Sequence, residues 1–238
     1  MPFKRAFAPV ALTDPDALTG AMVGIGMGFA APALRDPNIE DTLLFASTEA
    51  MSRDDHRVLA VLTTWFGIHA PWVNADRLTA LVGDQPSPRV RALWAALAQW
   101  QLRDRRFARM ARLYRGPRLD LLATGTDFQV KRHGEDARFA DSALRVPANL
   151  LRDRAADVSD PTALARHHRA YRYRVMMGPS YRADMWAALD ADPSLTAAAL
   201  ARATHGSFAT AWHVRRDFAL LTAQAHRSQL RLGAGERA

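Results

Sequence analysis

The chain contains no cysteine, only two lysines and no long apolar run. Without cysteine it has no disulfide framework, no thiol nucleophile and no cysteine-bound metal. No uncharged stretch reaches the roughly 20 residues that a membrane-spanning helix needs. Asp14 and Asp16 precede the first apolar run, which is unfavourable in a secretory signal. We therefore expect a cytoplasmic protein that does not cross a membrane.

The charge that is present is mostly arginine, and it is unevenly distributed. The net charge is +8, and every basic residue except Lys4 and Lys131 is an arginine. Abundant arginine and alanine are typical of a GC-rich bacterium, so the total alone does not indicate phosphate binding. The segment 89–118, however, carries nine arginines and one acid, Asp104. This Arg-rich segment predicts a surface for polyanions, with a solvated helix face as the alternative.

Helix starts are marked by capping residues, most of them just before proline. Proline suits the first helical turn because its missing N–H has no partner there. The markers are Asp14-Pro15, Asp36-Pro37, Ser87-Pro88, Asp160-Pro161, Asp192-Pro193 and a capping-box variant at 52–55. The predicted helices lie near residues 15–31, 37–51, 53–69, 74–82, 88–102, 104–112, 161–175, 180–190, 195–204 and 208–222. The chain is thus predicted to be mostly α-helical.

Strand signals are few, at residues 119–122, 128–132 and 143–146. We expect the first two to pair as a hairpin. Gly20, Gly24 and Gly28 recur every four residues and predict a stripe on which another helix packs closely. These glycines lack the preceding strand of a dinucleotide-binding loop, so that interpretation is not favoured.

Two segments share the order helix, short helix, helix. The first, 53–133, ends in the predicted hairpin, and the second, 180–233, ends in a short tail. This order predicts tandem winged-helix-like units. The predicted divisions are an N-terminal helical segment (1–52), a winged-helix-like unit (53–133), an irregular connector (134–160) and a C-terminal winged helix-turn-helix (161–238).

The C-terminal pattern is the most informative. An amphipathic helix at 181–189 precedes a short alanine-rich helix, the turn His205-Gly206-Ser207 and a third helix from Phe208. The glycine in the turn and the serine cap resemble the winged helix-turn-helix of bacterial regulators of the arsenical-repressor type. The resemblance covers about residues 172–225 and implies that the third helix enters the DNA major groove.

The third helix has two predicted faces. The apolar stripe expected to pack on the other helices is Phe208, Ala211, Val214, Phe218 and Leu221. The residues expected to meet base edges are Thr210, His213 and Arg216. Those expected near phosphates are Arg202, Ser207 and Arg215, with Arg103, Arg105, Arg106 and Arg109 from the Arg-rich segment.

Other functions remain open. Three-helix units also dock proteins, and an exposed apolar patch at Trp72, Trp100 or Trp212 would favour that function. The tandem layout also resembles the antitoxins of abortive-infection toxin–antitoxin pairs, in which the N-terminal winged helix binds DNA and the C-terminal part silences the toxin. That resemblance implies a partner protein from the same operon.

A metal-dependent nuclease is the third possibility. Asp120, Gln129 and Lys131 on two adjacent predicted strands resemble a restriction-endonuclease-like core, in which an acid binds metal and a lysine polarises water. Gln129 replaces the usual second acid, and the chain shows no triad spacing, Walker loop or zinc signature. We therefore expect no enzymatic activity, metal site or cofactor.

As a whole, the sequence predicts a mostly α, tandem winged-helix-like protein with a small β-hairpin. We expect it to bind duplex DNA as a homodimer. Its role would be that of a transcriptional regulator or the DNA-binding subunit of an operon-encoded bacterial system.

Overall fold

The structure is a computed structural model that describes the backbone of residues 14–235 and the side chains of residues 14–222. Helices dominate it, as predicted. The chain forms two compact units, which meet in sequence between Arg172 and Tyr173. The predicted boundaries at 52, 133 and 160 stay predictions, although the chain from 134 to 172 contributes Phe139, Leu151 and Tyr171 to the core of the larger unit.

The helices of the larger unit are α1 (Pro15–Gly24), α2 (Ile39–Ser52), α3 (His56–His69), α4 (Ala75–Gly83), α5 (Pro88–Trp100), α6 (Thr126–His133) and α7 (Pro161–His167). Helix α8 (Arg169–Met177) spans the division in sequence. The helices of the smaller unit are α9 (Tyr181–Ala191), α10 (Ala197–Ala203) and α11 (Phe208–Gly235). The predicted helix at 104–112 is instead a pair of short 3₁₀ turns, Arg105–Phe107 and Met110–Arg112.

Three of the predicted caps are confirmed. The Asp14 carboxylate accepts from the N–H groups of residues 16 and 17, each at 3.3 Å. Ser87 Oγ accepts from Val90 N at 3.4 Å, and Asp160 Oδ1 accepts from Ala163 N at 2.9 Å. In each case the following proline occupies the first helical turn, where it loses no hydrogen bond.

Three of the predicted caps are wrong. In the predicted capping box at 52–55, Asp55 and not Ser52 caps the helix, since Asp55 Oδ1 accepts from Val58 N at 3.0 Å. Asp36 has a φ of 49°, and its Oδ1 accepts from the distant Arg169 N at 2.7 Å, so Asn38 caps α2 instead. Asp192 accepts from both the N–H (2.9 Å) and the hydroxyl (2.6 Å) of Ser194, and no helix begins there. The partner of Asp36 is distant in sequence, whereas that of Asp192 is only two residues away.

The glycine stripe serves a different packing than predicted. Helix α1 ends at Gly24, because Gly26 adopts a φ of 88°. A side chain at Gly20 or Gly24 would collide with backbone atoms of the returning segment 32–37. The close approach is therefore real, but it is made by a loop and not by a second helix.

The core of the larger unit lies among α2, α3, α4 and α5. Trp65, Phe66, Trp94 and Phe107 are fully buried, with edge-on contacts of Phe66 to Trp94 (5.5 Å between centroids) and to Phe107 (5.2 Å). Such aromatic pairs contribute about 0.5–1.5 kcal/mol beyond the burial of their surface. This core is a rigid support for the loops that follow α5.

The predicted hairpin is wrong. Strand β1 (Leu119–Asp120) pairs in parallel with β2 (Leu144–Arg145), which confirms the third strand signal, whereas residues 128–132 lie in helix α6. Gly125 and Gly134, both with positive φ, bound this helix. Its first turn is acidic and its last turn basic, which suits the helix dipole. The first winged-helix-like unit therefore has no wing.

The smaller unit has the predicted order of three helices. Its core consists mainly of Met185, Leu189, Leu200, Ala211 and Val214. The third helix runs to Gly235 rather than to residue 222. Since 208–235 is one helix, no wing hairpin follows it within the described residues.

A buried ion pair joins α8 to α9 in the smaller unit. Arg174 Nε donates to Asp184 Oδ1 at 2.7 Å, and its terminal nitrogen donates to Oδ2 at 3.0 Å. This two-point contact fixes the entry of the chain into α9.

None of the helices in the described part of the chain is long and apolar enough to span a membrane.

Candidate nucleic-acid interface

The turn between α10 and α11 sets the direction of α11. His205, and not the glycine, takes the left-handed conformation, with a φ of 56°. A side chain at Gly206 would meet the terminal methyl group of Met185 on α9, which would have to move aside. Ser207 then begins the helix by accepting from Thr210 N at 3.1 Å. The predicted serine cap is confirmed.

The face of α11 that packs inward is shorter than predicted. Ala211 and Val214 are buried and Phe218 is half-buried, but Phe208 and Leu221 are 58% and 55% exposed. Helix α11 has 28 residues, whereas α9 has 11 and α10 has 7. Two such short helices, about 16 Å and 10 Å long, cannot cover a helix of about 42 Å.

The outward face of α11 has an indole at its centre. Trp212 is 51% exposed. The His213 ring lies edge-on to it at 5.1 Å, and the Arg216 guanidinium lies over it at 5.8 Å from the ring centroid. We call Trp212, His213 and Arg216 the aromatic–cationic cluster. A guanidinium in this position is attracted to the electron-rich ring face and restricts its rotation.

The arginines of α11 differ in how much of their charge is compensated. Arg216 donates to Asp217 at 2.9 Å, and Arg182 donates to the same carboxylate at 2.9 Å. These hydrogen bonds, first that of Arg182, lower the pKa of Asp217. Arg215 is exposed and has no ion pair with any described residue. It therefore presents a full positive charge to solvent.

The remaining predicted residues of this unit are placed differently. The Thr210 hydroxyl lies 2.7 Å from Ser207 Oγ, so Thr210 is half-buried at the edge of the outward face. Arg202 is exposed on α10. From Arg202 to Arg216 the chain contains three arginines and no acid. This stretch is therefore uniformly basic.

The Arg-rich segment of the larger unit separates into two groups. Arg103, Arg105, Arg109, Arg112 and Arg115 are exposed and make no ion pair with a described residue. Arg105 and Arg112 lie in the two 3₁₀ turns, which also contain the buried Phe107 and Met110. Five free guanidinium groups within 13 residues form a surface suited to phosphates.

Arg106 does not belong to that surface. It donates to the carbonyls of Ala70 (3.1 Å), Pro71 (3.1 Å) and Val73 (3.2 Å), and it pairs with Asp104. Its guanidinium thus satisfies carbonyl groups at the end of α3, and the prediction of a phosphate contact at this residue is not supported by its placement. Arg89 and Arg118 have similar roles, since they donate to Leu121 O at 2.7 Å and Phe139 O at 2.8 Å.

The predicted nuclease core is not formed. Lys131 lies exposed on helix α6, and Asp120 is bonded to Arg145 at 2.8 Å. The two residues are not on adjacent strands, because the second strand signal was wrong. No group of three or more metal-ligating side chains occurs among the residues that the structure describes.

Sequence reasoning missed one further exposed basic face. Helix α6 presents Phe128, 62% exposed, together with the exposed Lys131 and Arg132 three and four residues later. The bounding Gly125 and Gly134 were the signal that could have revealed this helix.

Comparison with known protein families, with characterised proteins and with solved structures gives no match to this chain.

Proposed function

We propose that the protein binds duplex DNA, with α11 as the groove-facing helix and the Arg-rich segment as a backbone contact. The observation that carries this proposal is the outward face of α11. It combines His213, Arg215 and Arg216 in a stretch without any acid. The helix-turn-helix order of the smaller unit, which resembles bacterial regulators, supports the same function.

The dimensions of the helix suit this role. With side chains, an α-helix is about 10–12 Å across, and the major groove is about 12 Å wide. The buried residues of α11 anchor one side on α9 and α10, and the opposite side is open. Arg215 and Arg216 lie three and four residues after Trp212, at about 60° and 40° to either side of it around the helix axis, so one guanidinium can point toward each flank of the groove.

The two basic surfaces would contribute differently. The face of α11 contains groups that can meet base edges as well as phosphates. The Arg-rich segment contains only guanidinium groups, and we expect it to increase affinity for all sequences alike. The role is that of a transcriptional regulator or a DNA-binding subunit of an operon-encoded system, acting as a homodimer.

The experiment is a salt titration of duplex DNA binding by fluorescence anisotropy. Each phosphate contact contributes about 0.9 to the slope of log affinity against log salt. We expect Arg215→Ala/Arg216→Ala to reduce this slope by about 2 and to lower the affinity at least tenfold, if each guanidinium neutralises one phosphate. Loss of binding must be accompanied by an unchanged circular dichroism spectrum.

The matched control is Arg35→Ala/Arg166→Ala, which removes the same charge from two exposed positions of the larger unit. This variant should keep the wild-type slope. If both double variants behave alike, net charge and not the face of α11 determines binding. A slope reduced by about 3 in Arg103→Ala/Arg105→Ala/Arg109→Ala would assign the Arg-rich segment as a backbone contact.

A second candidate is docking of a partner protein from the same operon. Its supporting observation is the exposure of Phe208, Trp212, Leu220 and Leu221 on α11. Docking predicts tight binding to a protein with little salt dependence and weak binding to DNA. Of the tryptophans that would favour docking, Trp72 and Trp100 are half-buried.

A further inference from the structure

Trp212 stands apart from the other five tryptophans of the chain. Trp65, Trp94 and Trp186 are buried, and Trp72 and Trp100 are half-buried. Trp212 alone is more than half exposed, at 51%. A large apolar ring left in water loses the free energy of burial that the same ring would gain in a core. Because Trp212 lies in the basic stretch 202–216, we expect a partner to cover its ring.

The geometry of α11 directs this indole away from the unit. Ala211 and Val214 pack inward, and successive residues of a helix are rotated by about 100°. Trp212 consequently points to the open side. Ala209 and Ala219, three residues before it and seven after it, lie near the same line and are exposed. Phe208, which is 58% exposed, lies one turn before the indole, and Arg215 and Arg216 lie one turn after it, so the indole is one of several large groups on this side.

The ring is also held in place. Arg216 covers one face at 5.8 Å from the centroid, and His213 approaches its edge at 5.1 Å. A ring with restricted rotation loses less entropy when it binds. Arg216 is cationic, and the nearest acid in sequence, Asp217, is already shared by two arginines. The surroundings of the ring thus favour a polyanion over an apolar protein surface.

We propose that Trp212 is a specificity-determining residue that recognises the C5 methyl group of thymine in the major groove. This inference rests on the proposed DNA binding by α11. In the major groove the methyl group of thymine is the apolar group that distinguishes one base from the others. The indole supplies an apolar surface for that methyl, while the exposed Arg215 reaches a phosphate beside it.

The test compares duplex pools that differ only in this methyl group. One AT-rich random-sequence pool contains thymine, and the other contains uracil, which pairs with adenine in the same way. We expect the wild-type protein to bind the thymine pool more tightly, by roughly fourfold for each methyl group that is buried. Trp212→Ala should bind both pools equally and keep the wild-type salt slope.

Two controls make the result specific. Phe128→Ala removes an aromatic side chain of similar exposure from the larger unit and should keep the preference for thymine. Trp212→Phe retains an apolar ring and should keep part of it. Because Trp212 is exposed, Trp212→Ala should fold, which an unchanged urea midpoint verifies.

The outcomes separate this inference from the proposed function. If the wild type binds both pools with the same affinity and a steep salt slope, the protein binds DNA and the inference is wrong. If Trp212→Ala keeps the preference, the methyl acts through DNA shape and the inference is also wrong. If no duplex binds at low salt, the proposed DNA binding is wrong, and the inference, which rests on it, is wrong as well. A duplex with 5-methylcytosine in place of cytosine that gains equal affinity would overturn the assignment to thymine.

Discussion

The two units differ in where they place tryptophan: the larger unit fully buries Trp65 and Trp94, whereas the smaller unit buries Trp186 and exposes Trp212. In the larger unit, Trp65 Nε1 donates to Ile25 O at 2.7 Å and Trp94 Nε1 donates to Ser47 Oγ at 2.9 Å, and both rings are fully buried. In the smaller unit, Trp212 is on the surface beside arginines. Trp65 and Trp94 thus have both their rings and their polar atoms satisfied inside the larger unit.

The difference is informative because both units leave some large apolar side chains exposed. Phe208, Leu220 and Leu221 of α11 are also exposed, and a small domain covers less of its surface than a large one. The small size of the unit, however, does not explain why an indole lies beside Arg215 and Arg216. The larger unit is thus organised around a buried aromatic core, and the exposed indole of α11 supports the proposal that its outward face binds a partner.

The sharpest test of this comparison is the removal of one indole from each unit. Trp94→Ala should lower the free energy of unfolding by about 3–5 kcal/mol, because it leaves a cavity in a packed core. Trp212→Ala should lower it by less than about 0.5 kcal/mol. Urea unfolding followed by circular dichroism measures both. Equal losses would show that Trp212 is part of a folded core and would remove the contrast.

The next largest expected effect is a dependence of stability on pH, which comes from His69 of the larger unit. Burial lowers the pKa of His69 to about 4, although the carbonyl of Ser159 and the charge of Asp160 oppose the shift. Between pH 6.5 and 4 the unfolded chain binds a proton at this residue and the folded chain does not. Stability from His69 is therefore complete above pH 6.5 and decreases as the pH falls, by about 3 kcal/mol.

The measurement is urea unfolding of wild type and of His69→Gln from pH 7.5 to 4.5. The variant should be less stable at pH 7.5, and the difference should become smaller toward pH 4.5. Asp160 and Asp217 do not account for this window, because their pKa values are lowered and they titrate in more acidic solution. A difference that stays constant with pH would mean that His69 is not neutral and buried as described.

The smallest expected effect compares two serines. Ser47→Ala leaves the buried N–H of Trp94 without its acceptor and should cost about 1–3 kcal/mol. Ser207→Ala removes the cap of α11 in the smaller unit and should cost about 1 kcal/mol. Thermal unfolding of both variants ranks them. The reverse order would indicate that α11 depends on its cap more than the larger unit depends on its internal hydrogen bonds.

Local signals predicted much of the fold. The caps Asp14, Ser87 and Asp160 act within three residues of themselves, so the sequence contains the whole interaction. The order of helices in the smaller unit and the serine cap of α11 were predictable for the same reason. Asp36 was not, because its partner Arg169 is 133 residues away in the chain.

The candidate site was predicted less completely. The outward placement of His213 and Arg216 follows from helical periodicity, which is a property of the sequence. The exposure of Leu221 depends on where the partner helices end, and the use of Arg106 depends on carbonyl groups at residues 70–73. These facts arise from tertiary contacts, and no spacing within the segment reveals them.

The unusual length of α11 has a mechanical consequence. Its inward contacts reach Phe218, and the backbone continues as one helix to Gly235. A continuous helix of 28 residues is about 42 Å long, so a tilt of about 10° at its first turns displaces its far end by about 7 Å. A small rotation of the anchored first turns is thus converted into a displacement of several ångströms at Gly235.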